Sequence, residues 1–199
     1  MAAIASGVRL RKDARLEKRR RRIAESALEL FATRGYNVTS VEEIVAQARM
    51  SKSAFYEFFE SKEDCFRELL AQEGGALIHA VISAAAGGAD HRDRMRRGIT
   101  AFVGACFGQP DLARLMLVES VGLSPSVEEV RHQLQGRFAH MVAEEVRLAL
   151  GDPFYSDHDP QVFGRAVVGA VSDAVGYFLT HPGAGAESLS ASLCHIFAP

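Results

Sequence analysis

TSVEEIVAQARMSKSAFYEFFESK, residues 39–62, carries two short helical signals about four residues apart. At its start Thr39 and Ser40 offer overlapping capping boxes, TSVE and SVEE, in which a hydroxyl accepts an amide hydrogen bond and Glu42 or Glu43 reaches back. The helix that follows would bury Val41, Ile44, Val45 and Ala48. Ser51 is the natural N-cap of a second helix running to residue 59, and Ser61 opens a further one with Asp64 three residues on. Phe55, Tyr56, Phe58 and Phe59 are more rings than so short a segment can bury alone. They need a partner, and the preceding stretch supplies one: a helix over residues 17–34 with Ile23, Ala27, Leu30 and Phe31 on one face and Gly35 at its C-terminal cap. Ala54, Phe55 and Phe58 then pack inward, and Phe59 closes the junction with the next helix. Lys52, Ser53, Tyr56 and Glu57 fall on the outer side, free to enter a major groove. Two short helices at this spacing, braced by a third, form a helix-turn-helix.

Charge supports an anionic partner for this part of the chain alone. The 199 residues carry a net charge of −2. Residues 1–62 hold 13 Lys+Arg against 8 Asp+Glu, whereas residues 63–199 hold 10 against 17. The densest run, RLRKDARLEKRRRR (residues 9–22), has nine positive side chains and two negative. It reads either as a solvated, flexible arm or as a contact to a phosphate backbone. With 48% hydrophobic and 24% charged residues the chain is an ordinary globular composition able to bury a core. No uninterrupted apolar run reaches the roughly 18 residues of a membrane span, and no signal core follows the basic start, so a cytoplasmic protein is expected. Cys65, Cys106 and Cys194 are odd in number and widely spaced, which predicts reduced, mostly buried thiols and no structural zinc.

Downstream, apolar residues recur at three and four, so the expected fold is all-α, with nine helices. The remaining helices are expected over residues 62–86, 90–107, 110–121, 125–150, 160–180 and 187–197, broken by Gly, Pro and Asp clusters. This divides the chain into a basic arm (1–16), a DNA-binding domain (17–77) and a helical C-terminal domain (78–199).

The segment RRRRIAESALELFATRGYNVTSVEEIVAQARMSKSAFYEFFESKEDCFRELL closely resembles the TetR family of transcriptional regulators. The specific part is the order and spacing of ALELFATRGY, TSVEEI, SKSAFYEFF and SKED. The resemblance implies a homodimer that reads a palindromic operator with its third helix, acts most often as a repressor, and is released by a small molecule. Carried over position by position, it makes Thr39, Ser40, Tyr56 and Lys62 phosphate contacts, with Ser51 heading the recognition helix. Lys52, Ser53 and Glu57 would face base edges, Lys52 favouring guanine and Glu57 accepting from a cytosine amine or remaining merely solvated. Two positions depart from the pattern. Arg49 stands where the family usually has glycine, which would strain a left-handed turn, and Ser53 stands where glycine is frequent.

The C-terminal part matches no family motif. The helices expected over 160–180 and 187–197 are apolar enough to form a four-helix dimer interface with their symmetry mates, or an intramolecular core. Candidates for lining an effector cavity are Phe102, Cys106, Met116, Glu119, Phe138 and Met141, all equally compatible with core packing except Glu119, whose carboxylate within LMLVESV would need a partner if buried. The loop YSDHD (155–159) has residue types suited to metal or acid-base work but reads as a solvated turn, and no enzyme fingerprint is present, so no cofactor is expected. Alternatives are a DNA-binding regulator with no effector, or a helical enzyme.

Overall fold

A computed structural model describes residues 2–150, 159–181 and 183–198, and their side chains except those of 2–13, 149 and 150. Among the described residues there are nine helices and no strand: α1 (Ala2–Arg34), α2 (Val41–Ala48), α3 (Lys52–Tyr56), α4 (Lys62–Ala86), α5 (His91–Gly108), α6 (Pro110–Arg114), α7 (Pro125–Leu150), α8 (Pro160–Thr180) and α9 (Ala186–Phe197). They divide into two compact units, Met1–Leu69 and Leu70–Pro199. The sequence reading sets this division after residue 77.

In the first unit, Ile23, Ala27 and Phe31 of α1 meet Ile44 of α2, Phe55 of α3, and Cys65 and Phe66 at the start of α4, all at most 2% exposed. Phe31 and Phe66 pack edge to face with centroids 5.5 Å apart. Two features differ from expectation. First, α1 begins at Ala2, so the backbone over 2–16 is helical where a flexible arm was predicted. Those residues are mostly Ala, Leu, Arg and Lys, among the best helix formers. Second, α3 ends at Tyr56 rather than at 59. Phe58 N–H bonds the Phe55 carbonyl at 3.0 Å, a tight i→i+3 turn that rotates the last two rings. Phe59 is therefore the buried ring, and Phe58 is half-buried beneath the Arg19 guanidinium, 5.7 Å from its centroid.

The second unit is built around α5, α7, α8 and α9. Val103, Ala139 and Val175 are fully buried, with Val167, Val171, Leu189 and Leu193 around them. α7 and α8 approach closely because Gly164 has no side chain: a Cβ there would overlap the Ala139 carbonyl. The helix expected over 110–121 is shorter. α6 gives way at Leu115 to a π-helical turn, Leu115–Glu119. Ser120 N–H bonds the Leu115 carbonyl at 3.0 Å, and the Met116 carbonyl accepts from Ser120 Oγ at 2.6 Å and from Arg131 Nη1 at 2.9 Å. The wide turn is thus satisfied by a buried serine and an arginine from α7. α4 and α8 are long and apolar enough by composition to cross a membrane. Their apolar residues include Val81, Val167 and Val175, which lie in the core of this unit.

Candidate nucleic-acid interface and internal cavities

Local capping sets the interface. Of the two possible capping boxes, the structure uses SVEE: Ser40 Oγ accepts from Glu43 N–H at 3.3 Å, and Ser40 N–H donates to Glu43 Oε2 at 2.8 Å. Hydrogen bonds to the Glu43 carboxylate, first from Ser40 N–H and then from Ser40 Oγ at 2.8 Å, hold it below its ordinary pKa, with Arg34 Nη1 adding an ion pair at 2.8 Å. The Thr39 hydroxyl, expected on the phosphate side, is instead 2% exposed and donates to the Gly35 carbonyl at 2.8 Å. It closes the end of α1. Arg49 takes the left-handed conformation (φ 52°, ψ 48°) and is the one non-glycine at positive φ among the described residues. Its N–H bonds Ala46 at 3.1 Å, and Met50 N–H reaches the Val45 carbonyl at 2.8 Å, a 6→1 bond that terminates α2.

This turn delivers α3 with one face inside and one outside. Ala54 and Phe55 are buried, whereas Lys52, Ser53 and Glu57 are exposed and Tyr56 is 53% exposed. Ser51 Oγ caps the helix by accepting from Ala54 N–H at 3.1 Å. Both charges on the outer face are partnered from outside α3. Lys52 pairs with Glu42 of α2, and Glu57 pairs with Arg19 of α1 at 3.0 Å. Arg20 pairs with Glu68 and lies 5.2 Å from the centre of the Phe59 ring. Part of the basic run is therefore a brace between α1 and its neighbours. Arg15, Lys18, Arg21 and Arg22 remain on the exposed face, Arg21 pairing with Glu25.

Lys62 departs most from its expected role. Its ammonium donates to the Tyr36 and Thr39 carbonyls, each at 2.9 Å, and sits 4.2 Å from the centre of the Tyr36 ring. Burial pushes its pKa below the usual lysine value. It ties the α1–α2 connection to the start of α4. No pattern within four residues of Lys62 could have revealed this, because its partners lie 23 and 26 positions away.

Among the described residues, two of the cavities of the second unit, both open to solvent on one side, take in residues expected to line an effector cavity. One, of about 210 Å³, is lined by Phe102, Phe138 and Met141 among mostly aliphatic neighbours. The other, of about 600 Å³, is lined by Phe102, Met116 and Phe138 together with Arg131, Gln135 and Tyr177. Phe102 and Phe138 pack edge to face, centroids 5.7 Å apart, and line both. Cys106 and Glu119 line neither. Cys106 is 3% exposed within the core, its thiol pushed up to about 12 by burial, and Glu119 accepts from Arg114 Nε at 3.0 Å. The YSDHD loop lies outside the described residues save Asp159, whose carboxylate accepts from Gln161 N–H at 2.9 Å and caps α8.

Residues 23–69 match the family described as bacterial regulatory proteins, tetR family. The chain is similar to the HTH-type transcriptional regulator YuxN of Bacillus subtilis, 32% identical over 115 residues, which covers 58% of this chain and 39% of YuxN. It is also similar to the HTH-type transcriptional activator FasR of Mycolicibacterium smegmatis, 32% identical over 86 residues, covering 43% of this chain and 39% of FasR. The matches therefore span about two-fifths of the length of these curated relatives. Among solved structures, the fold is similar to the fatty acid degradation regulator FadR from Bacillus halodurans, with a TM-score of 0.79 and 14% identity over 90% of this chain and 94% of that one. It is similar too to the transcriptional regulator FadR from Bacillus subtilis in complex with stearoyl-CoA, with a TM-score of 0.75 and 17% identity over 89% and 96% of the two chains. Residues 23–69 thus form a helix-turn-helix like that of the tetR family of bacterial regulatory proteins, and the chain as a whole is similar in fold to regulators that carry it.

Proposed function

We propose that this protein is a cytoplasmic repressor that binds a palindromic operator as a homodimer and leaves it when a small molecule occupies the C-terminal unit. The observation that carries the DNA-binding reading is the two-sided α3: Ala54 and Phe55 hold it in the core, while Lys52, Ser53 and Tyr56 stand exposed in a row one helix face wide. Lys52 and Ser53 read bases. Tyr56 and the amide groups at the start of α2, with Ser40 beside them, contact phosphates. The exposed cations of α1 add affinity that does not depend on sequence. Dimerisation through α8 and α9 accounts for the apolar residues they leave exposed, Val162 at 66%, Tyr177 at 54% and Ile196 at 63%, beside the small Ala166, Gly169 and Ala170. Two cavities sharing a pair of phenylalanines are the space for an effector, and they favour this reading over a regulator without one. The FadR proteins, one of them solved with stearoyl-CoA, make lipid-like molecules the first class to screen. Selection of bound duplexes from a random pool tests the reading. An inverted repeat bound by a dimer, repressing a reporter and losing the protein on addition of the effector, is the expected result. A monomer that binds all sequences alike, or a reporter that rises with the protein alone, would overturn it.

A further inference from the structure

The smaller cavity has a chemistry of its own. Of its 17 lining residues only Arg94, Glu145 and Ser172 have polar side chains. At its rim the Arg94 guanidinium donates Nε to Glu145 Oε2 at 2.9 Å, and the same carboxylate oxygen lies 3.1 Å from His91 Nδ1. Burial alone would raise the Glu145 pKa, but hydrogen bonds from His91 and Arg94 outweigh it and hold the carboxyl below its ordinary value. The Arg94 guanidinium is thus already engaged, by the Glu145 carboxylate through Nε and by His91 Nδ1 through Nη2.

Gly98 lies in the interior of α5 and on the cavity wall. A helix-interior glycine is destabilising relative to alanine, and no left-handed conformation or close backbone contact requires one here. A Cβ at Gly98 would sit 3.6 Å from Val81 Cγ1 and 3.9 Å from Ala85 Cβ, ordinary contact distances. What the missing side chain does provide is room in the cavity.

We infer that this cavity, kept open by Gly98, is a binding site for a neutral medium-chain amphiphile: an aliphatic body of about eight carbons ending in a hydroxyl or amide at the Arg94–Glu145 pair. The length follows from volume. An apolar cavity of about 150 Å³ takes up benzene, with six carbons, so one of about 210 Å³ holds about eight. The neutral head follows from charge. A hydroxyl can accept from the guanidinium and donate to the carboxylate, whereas an anionic head would enter a nearly apolar site beside Glu145, where Arg94 is already engaged. Met95 and Met141, flexible and unbranched, let the wall adapt to the chain.

The inference rests on the C-terminal unit being a sensor, but its test is direct. Calorimetric titration of the whole protein with primary alkanols from hexanol to dodecanol should show affinity rising about fourfold per methylene as each is buried, then levelling near octanol. Octanoate should bind at least tenfold more weakly than octanol. G98A should melt no lower than the parent protein, yet bind octanol about fourfold more weakly and level one carbon earlier. E145Q, which leaves Arg94 without its carboxylate, should reverse the order of octanol and octanoate. An unbroken rise through dodecanol, octanoate binding as tightly as octanol to the parent protein, or a G98A profile identical to the parent's would each overturn the site. Alkanol binding with this profile but no effect on operator binding would leave the site standing and overturn the sensor. Operator release by another molecule, with no alkanol binding, would overturn the site alone.

Discussion

Arg49 offers a direct test of how the helix-turn-helix turn is held. Its φ of 52° and ψ of 48° place an L-residue in the left-handed region, which is disfavoured by about 1–2 kcal/mol. Two backbone hydrogen bonds, Arg49 N–H to Ala46 at 3.1 Å and Met50 N–H to Val45 at 2.8 Å, keep it there. Glycine relieves the strain but loses about 0.5–1 kcal/mol of additional chain entropy on folding. The balance favours glycine over another L-residue by about 0.5–1 kcal/mol. The exposed Arg49 side chain makes no hydrogen bond or ion pair among the described residues, but its charge could affect stability through the surrounding basic field. R49A controls for that, since both variants remove the charge and only one removes the strain. For a chain of this length a difference of that size corresponds to about 1–4 °C in Tm. Calorimetric melting at one fixed protein concentration, with amide exchange followed across residues 41–59, should find R49G the more stable and its α2–α3 segment the more protected. If R49G melted at or below R49A, and exchanged as fast, the turn would not be storing strain at Arg49.

K62M removes the ammonium from the Tyr36 and Thr39 carbonyls and leaves both acceptors unpaired by it, so urea unfolding should show a loss of about 2–3 kcal/mol. The slope of operator affinity against salt should stay unchanged in that variant, since the cation faces inward; a flattening by about one unit would mean that it meets a phosphate. E57Q removes a carboxylate beside the expected base-reading face and frees Arg19, and should steepen the salt slope by about 0.9 while changing stability by less than about 1 kcal/mol, as befits an exposed pair. Cys65 and Cys106 are buried, and burial raises both thiols to about 12. Thiol titration at pH 8 should find them alkylated about a thousandfold more slowly than in the unfolded chain, and rapid native alkylation would refute their burial. Between pH 9 and 12 the unfolded chain sheds thiol protons that the folded chain keeps, so these two groups should make stability fall as pH rises, a trend that C106A should lessen.

Helix positions and caps were legible in the sequence because their causes lie within one or two turns. Ser40 with Glu43, Ser51 with Ala54, and Gly35 after α1 are contacts across three or four residues, and apolar spacing marked Ile23, Phe31, Ile44 and Phe55 as core. Arg49 was singled out only through the family resemblance, which puts glycine at its position; that it takes a left-handed conformation is seen in the structure alone. Side-chain destinations that depend on distant residues were not. Nothing near Lys62 indicates that two carbonyls 23 and 26 positions earlier will take its ammonium, or near Glu57 that Arg19 will neutralise it. Which of Phe58 and Phe59 turns inward depended on where α3 stopped, a matter of fit against α1 and α4 rather than of propensity. Cys106 and Glu119 shared the periodicity of Phe102 and Met116, but volume within a helical bundle is set by how helices cross, so only packing could separate a cavity wall from solid core. Gly98 illustrates the division most clearly. The sequence shows a glycine inside a helix, and the tertiary structure alone shows that the atom it lacks would occupy a cavity.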